Sequence, residues 1–308
     1  MNRIAIGADI GGSHITCQLY VLDTNKLVEG TRVRLPVDCH AEKDVILDAW
    51  KKALSYAAHG CDFSLLAGVG FAMPGPFDYP AAVAWFEGVQ KYESLYGVNV
   101  RREILDHFNL PDEFPVRFLN DASCFAIGES FVGGASDMKR FLAITLGTGF
   151  GTTFINDHLP VAGEDGVPPD GFLYHIPYGE SIADDNFSTR WFQKVYLEKT
   201  GKKLTGVKEL VELAKTETTA QDIFKTFGKN MGAFLAPWLR DFRAEGLVIG
   251  GNISAAHSLF LNELKQEFEK ASINVKVVIS ALQEDAALSG SASLCDNALY
   301  SRLISKNL

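Results

Sequence analysis

The spacing of apolar residues near the start of the chain changes from strand-like to helix-like. Apolar residues occupy alternate positions over 4–8 and again over 15–19, and this two-residue period predicts two strands. The glycine pair at 11–12 lies between them and predicts a tight hairpin turn, because glycine can adopt positive φ angles. A third strand is predicted over 27–37, followed by an amphipathic helix over 42–59.

The rest of the chain predicts further strands and helices. Strands are predicted over 65–72, 115–119, 142–146, 247–249 and 275–279, with one more after a second glycine turn, up to residue 155. Helices are predicted over 100–108, 122–131, 187–198, 207–214, 220–242, 254–271 and 284–304, and a polar loop over 156–169. The apolar stripe of the 220–242 helix indicates a core position or a dimer face. A chain of 308 residues with 47% hydrophobic content is long enough for two domains with separate cores.

Composition and charge narrow the class of protein. The net charge of −9 disfavours a nucleic-acid partner, which requires a basic surface. No apolar run reaches the roughly 18 residues of a membrane-spanning helix, and the first residues enter a strand directly. We therefore expect a soluble, cytoplasmic protein. The 5 cysteines are scattered without a Cys-x-x-Cys pair, which indicates reduced thiols and argues against structural zinc.

Two glycine turns carry the candidate phosphate chemistry. The first consists of Gly11, Gly12 and Ser13, and the second of Gly147, Thr148 and Gly149. Glycines leave backbone N–H groups uncovered, so an anion can approach them, and Asp9 just before the first turn could face a cation or its water. An ordinary hairpin has the same composition, but two such turns in one chain favour a polyphosphate ligand.

Three further segments lie where buried strands end. The Pro74-Gly75-Pro76 loop is stiff, and it either holds a substrate edge or simply ends the strand. Asn120 and Asp121 lie between a strand and a helix, where Asp121 is either an N-cap or a carboxylate kept ionised by the helix dipole. Gly250, Gly251 and Asn252 could let a purine or its ribose contact bare backbone, and Ser254 could cap the following helix.

The ordered set of motifs resembles the ROK family of sugar kinases, within the actin/Hsp70/hexokinase superfamily. The matching stretches are AIGADIGGSHI, GFAMPGPFD, LNDAS, the second glycine turn and the glycine pair at 250–251. The resemblance implies an α/β fold of two ribonuclease-H-like domains with an interdomain cleft. It places a small domain at 1–118 plus 293–308 and a large domain at 119–292.

The resemblance also implies an activity and the roles of individual residues. It implies transfer of the γ-phosphoryl group of ATP to a hexose hydroxyl, most often the 6-hydroxyl, with Asp121 as general base. The implied substrate-binding residues are Pro74, Gly75, Asn120, Asp121, His175 and Asp184. The implied ATP-binding residues are Asp9, Gly11, Gly12, Ser13, Gly147, Thr148, Gly149, Gly250, Gly251 and Asn252. Asp9 would reach Mg²⁺ through water, and members are usually homodimers.

The sequence departs from the family pattern on the sugar side. Phe172 stands where the family's Glu-x-Gly-His motif has its Glu, and the following segment lacks the zinc-binding cysteines, so we expect no zinc. His175 remains, either as a neutral sugar ligand or as a partly buried, hydrogen-bonded histidine. The usual Asn and Trp of the preceding connection are replaced around Gly88 to Lys91. The sugar, its reacting hydroxyl and the choice of ATP or polyphosphate as donor stay open.

Two rival functions differ from a kinase. A ROK repressor carries an N-terminal helix-turn-helix, and we expect none here because the first phosphate turn follows Asp9 directly. A non-catalytic sugar- or nucleotide-binding protein would explain the altered sugar motifs. The presence of Asp121 and both glycine turns favours the kinase.

Overall fold

The computed structural model describes residues 3–58 and 60–305. These residues form two compact units. The first combines the chain up to Gly133 with the segment from Leu282 onward, and the second runs from Gly134 to Ala281. Within the described residues, no helix has the length and apolarity needed to cross a membrane.

The strands and helices follow one another in mixed α/β order. The strands are β1 (Ile4–Ile10), β2 (His14–Val21), β3 (Lys26–Leu27), β4 (Val33–Pro36), β5 (Gly68–Met73), β6 (Phe77–Asp78), β7 (Val83–Ala84), β8 (Val116–Asn120), β9 (Arg140–Leu146), β10 (Phe150–Asn156), β11 (Leu159–Val161), β12 (Pro177–Tyr178), β13 (Ser181–Ile182), β14 (Gly246–Gly250) and β15 (Lys276–Ile279). The α-helices are α1 (Lys43–Ala57), α2 (Val100–Phe108), α3 (Asp121–Val132), α4 (Ala183–Asn186), α5 (Thr189–Thr200), α6 (Val207–Leu213), α7 (Thr218–Asp241), α8 (Leu261–Lys270), α9 (Glu284–Ser293) and α10 (Asn297–Ile304). Short 3-10 helices cover Phe63–Leu65, Glu93–Leu95 and Asn252–Leu259.

The main sheets of the two units have the same strand order. The first sheet runs β3-β2-β1-β5-β8, and the second runs β11-β10-β9-β14-β15. In each, an antiparallel hairpin comes first (β1 with β2, β9 with β10) and parallel strands follow on its other side. Each glycine turn is therefore the connection of the central hairpin of its sheet. The sequence predicts both hairpins, and the structure confirms them.

Glycines allow α9 to pack closely against the first sheet and against α3. A Cβ added to Gly70 would overlap the carbonyl of Ser291, and one added to Gly128 would overlap the carbonyl of Ala286. Because van der Waals overlap is costly, these positions require glycine. The close packing fixes α3, and with it the position of Asp121 at the start of that helix.

The second unit is built around an aromatic core. The apolar face of α7 lies in this core, where Phe224, Phe227 and Met231 are fully buried. Of the two interpretations of this stripe, the core position is therefore confirmed. Phe192 of α5 packs against Phe227 of α7 in a tilted arrangement with ring centroids 4.6 Å apart, so these two helices share one packed interior.

Several predicted elements are divided in the structure. The third strand is two short strands, β3 and β4, and the predicted 284–304 helix is α9 followed by α10. The predicted 254–271 helix is a 3-10 helix followed by α8, and the predicted 156–169 loop contains β11. The 42–59 helix is confirmed as α1, although its predicted last residue, His59, lies outside the described residues.

The units of the structure divide the chain at positions other than the expected 118 and 292. Both α3 and α9, which the expected division puts in the large domain, belong to the first unit. The physical reason is the glycine packing of α9 against β5 and α3, which joins residues far apart in the sequence.

Candidate active site

The first glycine turn is open on its outer side. The Gly11 N–H donates to the carbonyl of His14 at 3.0 Å, which closes the turn between β1 and β2. Neither glycine adopts a positive φ, so the predicted reason for glycine at 11–12 is wrong. A Cβ added to Gly12 would meet no atom within 4 Å. Neither the backbone conformation nor the packing requires glycine at position 12, and the space beside it is available to a ligand.

The inner side of this turn is fixed by two aromatic rings. The Tyr92 hydroxyl donates to the Gly11 carbonyl at 2.5 Å, and burial raises the pKa of Tyr92, so it remains a donor at neutral pH. The His14 ring lies 3.3 Å from the Ser13 hydroxyl, measured at Nδ1. Burial, and then the charge of Arg34, lower the pKa of His14, which favours the neutral ring. No local pattern in the sequence indicates either ring.

Asp9 is a carboxylate in an unfavourable environment. It is partly buried at the end of β1, and desolvation raises its pKa to about 7, with further contributions from the charges of Asp121 and Glu284. Within residues 3–58 and 60–305, its carboxylate takes part in no hydrogen bond or ion pair. A cation near Asp9 would offset this electrostatic cost, so the residue fits the expected role toward Mg²⁺.

The structure shows which of Asn120 and Asp121 is the N-cap of α3, a question that the sequence leaves open. Asn120 is the N-cap of α3, and its side-chain oxygen accepts from the N–H groups of Ala122 (3.0 Å) and Ser123 (3.3 Å). Asp121 is the first residue of the helix, and its Oδ1 accepts from the Ala122 N–H at 2.8 Å. The N-cap interpretation of Asp121 is therefore wrong.

Hydrogen bonds of Tyr79 connect the end of β5, where the loop begins, to Asn120. No local pattern in the sequence indicates this tyrosine. The Tyr79 hydroxyl donates to the Met73 carbonyl at 3.2 Å, and the Asn120 side-chain amide donates to the same hydroxyl at 3.3 Å. Pro74 is buried, whereas Gly75 and the residue after it are exposed. Of the predicted loop residues, Gly75 is accessible to a ligand and Pro74 is part of the support beneath it.

The second glycine turn, in the other unit, is held by residues of the α4–α5 segment. A Cβ added to Gly147 would meet no atom within 4 Å, which matches Gly12 of the first turn. The Gly147 carbonyl accepts from the N–H and the hydroxyl of Thr189, both at 2.9 Å. Arg190 donates to the Thr148 carbonyl at 3.0 Å. The turn is thus fixed from behind while its outer side stays open.

Asp184 supports this turn. Its Oδ1 accepts from the Phe150 N–H at 2.7 Å, and its Oδ2 forms an ion pair with Arg190. A Cβ on Gly149 would come within 3.0 Å of the same carboxylate. One oxygen of Asp184 is engaged by the turn and the other by Arg190, so Asp184 helps to position the second turn, and its contact with sugar stays a prediction.

His175 keeps both of its interpretations. Its side chain is 42% exposed, and its Nδ1 lies 3.5 Å from Asp170. The Tyr174 ring packs edge-on against it at 5.0 Å between centroids. The imidazole is thus partly covered by neighbours, and its exposed part is accessible to a ligand. Phe172, in place of a glutamate, is partly buried beside Tyr174.

The glycine pair after β14 has a structural explanation. Gly251 adopts a φ of 80°, and a Cβ on it would overlap the backbone of Leu146. Glycine is therefore required there by packing against β9. Ser254 lies within the 3-10 helix and donates to the Gly251 carbonyl at 2.7 Å, so its predicted capping role is wrong. Gly250 is buried, whereas Gly251 and Asn252 are exposed and remain accessible to a ligand.

No group of three or more His, Cys, Asp or Glu side chains with metal-binding geometry is found within the described ranges. Asp9 is the candidate for contact with a cation, and it would act through water. All five cysteines are free thiols, and Cys17, Cys124 and Cys295 are buried.

Two units with the same sheet order, each with an open glycine turn in its central hairpin, define the actin-like ATPase class of fold. The chain belongs to the ROK family, whose model matches residues 5–298. It is 24% identical over 316 residues to the glucokinase of Thermotoga maritima, covering 94% of this chain and 96% of that protein. It is also 24% identical to the N-acetyl-D-glucosamine kinase of Haemophilus influenzae, covering 80% of this chain and 84% of that one.

A solved structure supports the fold. The ROK family glucokinase of Streptomyces griseus, determined in complex with glucose and AMPPNP, superimposes with a TM-score of 0.73 at 22% identity. The match covers 94% of this chain and 98% of that chain.

Proposed function

We propose that this protein is an ATP-dependent sugar kinase that transfers the γ-phosphoryl group to a hexose hydroxyl, with the 6-hydroxyl as the acceptor. The observation that carries the proposal is the arrangement in the first unit. An open glycine turn, the desolvated carboxylate of Asp9 and the helix-start carboxylate of Asp121 share one electrostatic environment, since the charge of Asp121 contributes to the raised pKa of Asp9.

Asp121 is proposed to act as the general base. Phosphoryl transfer has a loose transition state, so catalysis consists of positioning, charge neutralisation and a base for the attacking hydroxyl. The bond between the γ-phosphorus and the oxygen of the ADP leaving group breaks, and a bond to the sugar oxygen forms. The proton of the sugar hydroxyl passes to the Asp121 carboxylate. Asn120 caps α3, so Asp121 keeps its side chain at the first turn of the helix.

The donor is proposed to be held by both glycine turns. Backbone N–H groups and hydroxyls of residues 11–13 and 147–149 would bind phosphate oxygens, and Gly251 and Asn252 would contact the adenosine. Bound Mg²⁺ would neutralise the phosphate charge, with Asp9 holding it through water. Inorganic polyphosphate is the alternative donor, and it would not need the adenosine contacts.

The acceptor sugar is proposed to contact Gly75, Asn120 and His175, with Pro74 beneath the loop. Gly75 and His175 are exposed, and Asn120 is partly buried next to Asp121. Phe172 offers no carboxylate, and we propose that Asp184, whose oxygens bond to Phe150 and Arg190, positions the second turn instead of binding sugar. A homodimer remains an expectation from the resemblance, and a cytoplasmic location remains an expectation from the sequence.

The test is a coupled ATP assay over hexoses, hexosamines and ketoses, with Asp121→Asn beside the wild type. We expect turnover of at least one sugar and a loss of at least a thousandfold in kcat for Asp121→Asn, in keeping with removal of a base and a charge. Asp48→Asn, an exposed carboxyl on α1, is the matched control and should keep wild-type kcat. Unchanged turnover in Asp121→Asn would refute the role of the base.

A non-catalytic sugar- or nucleotide-binding protein is the second candidate, because Phe172 replaces the family's Glu and the usual Asn and Trp are replaced around Gly88 to Lys91. Absence of turnover with every sugar, with both ATP and polyphosphate, would refute the kinase. Binding of sugar or ATP by calorimetry without turnover would then support this second candidate.

A further inference from the structure

Two exposed aromatic side chains lie next to the proposed sugar-side loop. The Trp85 side chain is 43% exposed and that of Tyr96 is 53% exposed. Their rings pack edge to face with centroids 5.3 Å apart. Trp50, by contrast, is fully buried and Trp191 is 8% exposed, so a half-exposed tryptophan is unusual for this chain.

The backbone places this aromatic pair directly beside the loop. Trp85 follows β7, and its N–H donates to the carbonyl of Pro76, the last residue of the loop, at 3.2 Å. Tyr96 lies opposite, because the N–H of Gly97 donates to the Ala84 carbonyl at 2.8 Å. All of these residues belong to the first unit, which also contains Asn120 and Asp121.

The local packing accounts for the exposed position of the pair. Ala84 and Phe86, on either side of Trp85, are fully buried, and so is Leu95 before Tyr96. Around Trp85, directly after β7, the neighbours of buried residues point away from the core, whereas Tyr96 follows the last residue of a 3-10 helix. The core is complete without the two exposed rings, so their large apolar area is left for contact with something outside this unit.

We propose that Trp85 and Tyr96 form an aromatic platform for a second sugar ring, glycosidically linked to the ring that is phosphorylated. The apolar C–H face of a pyranose packs on aromatic rings, while the indole N–H and the phenol hydroxyl can bond to its hydroxyl groups. The proposal rests on the proposed kinase function and specifies its substrate class as a disaccharide or related glycoside. The platform adjoins the loop that would hold the first ring, and the exposed Glu87 offers a further acceptor at its edge.

The test compares each monosaccharide with its β-1,4-linked disaccharide: glucose with cellobiose, mannose with mannobiose and N-acetylglucosamine with chitobiose. We expect a higher kcat/KM for at least one disaccharide than for its monosaccharide. Trp85→Ala should lower kcat/KM for that disaccharide about tenfold and change the monosaccharide value less than about twofold, as loss of one aromatic contact implies. Trp85→Phe should restore most of the loss.

Tyr56→Ala is the matched control, because Tyr56 is an exposed aromatic residue on α1, with 60% of its surface exposed. It should leave both substrates unaffected. Equal losses for monosaccharide and disaccharide in Trp85→Ala would overturn the platform, because they would indicate a structural role in the loop. Preference for monosaccharides in every pair would overturn it as well.

The failure of the kinase proposal is distinguishable from that of the platform. If no sugar is phosphorylated, calorimetric titration with the same disaccharides decides: binding that is lost in Trp85→Ala supports the platform, and no binding overturns it. Sedimentation of the wild type and of Trp85→Ala tests the other possible partner of the aromatic pair, a second copy of this chain. A wild-type dimer that dissociates in Trp85→Ala, with an unchanged disaccharide preference, would overturn the proposal.

Discussion

Substitution of Asp9 by asparagine should stabilise the protein while abolishing its activity. The pKa of Asp9 is raised from 3.8 to about 7 on folding, because desolvation and the charge of Asp121 disfavour the ionised carboxylate. The unfolded chain therefore binds fewer protons than the folded chain between these two values. Stability consequently falls as the pH rises from about 4 to about 7 and stays low above that range.

The magnitude follows from the size of the shift. A difference of about 3 pKa units, at about 1.4 kcal/mol per unit, costs the folded protein about 4 kcal/mol at pH 8. Near pH 4.5 the cost is only about 1 kcal/mol, because most of the interval between the two pKa values lies above that pH. Asp9→Asn removes the charge, so it should raise Tm by roughly 10 °C at pH 8 and by much less at pH 4.5.

Thermal unfolding followed by circular dichroism in buffer without magnesium measures this difference. Asp48→Asn, an exposed carboxyl on α1, is the control and should shift Tm little at either pH. Addition of Mg²⁺ and ATP should then stabilise the wild type more than Asp9→Asn, because the carboxylate would gain its cation. A gain in Tm that is the same at both pH values, or no gain at pH 8, would show that Asp9 is not desolvated as described.

Three further substitutions test the turns and the cap. Gly12→Ala should leave Tm unchanged or slightly raised, since a Cβ has free space there, but it should raise the KM for ATP about tenfold. Gly206→Ala, at an equally open glycine, is the control and should change neither Tm nor KM. An unchanged KM in Gly12→Ala would refute the phosphate-binding role of the turn. Asp184→Ala should raise the KM for ATP several-fold and leave the KM for sugar unchanged in steady-state assays, whereas the opposite pattern would restore its sugar contact. Asn120→Ala should cost about 1 kcal/mol through loss of the cap, measured as a lower Tm that Asn120→Ser largely restores.

The sequence was most informative where a pattern is local. The 100–108 helix was predicted with the bounds that α2 has, because capping by Asn99 and the apolar spacing are both encoded within a few residues. Both glycine hairpins were likewise predicted in position. The reason offered for the first was wrong, since openness toward a ligand and not a positive φ distinguishes Gly12.

The sequence does not indicate features that depend on contacts between distant segments. Nothing near Tyr79 in the sequence indicates that its hydroxyl bonds to Asn120, 41 positions later. The expected 254–271 helix begins as a 3-10 helix whose N-cap, Gly251, packs against Leu146, and that contact is a tertiary constraint. The division of the chain at 118 and 292 rested on family resemblance, whereas the packing of α3 against α9 sets the division of the structure.

The contacts of Asp184 bear on the interpretation of the altered sugar side. Its two oxygens bond to the Phe150 N–H and to Arg190, which directs the carboxylate toward the second turn. Phe172 contributes no carboxylate at all. Hydrogen bonds to buried groups are the interactions that reject a wrong epimer most strongly. Under the proposed function, selectivity for the acceptor would rest more on shape and apolar contact, and the proposed platform of Trp85 and Tyr96 would supply contact of that kind.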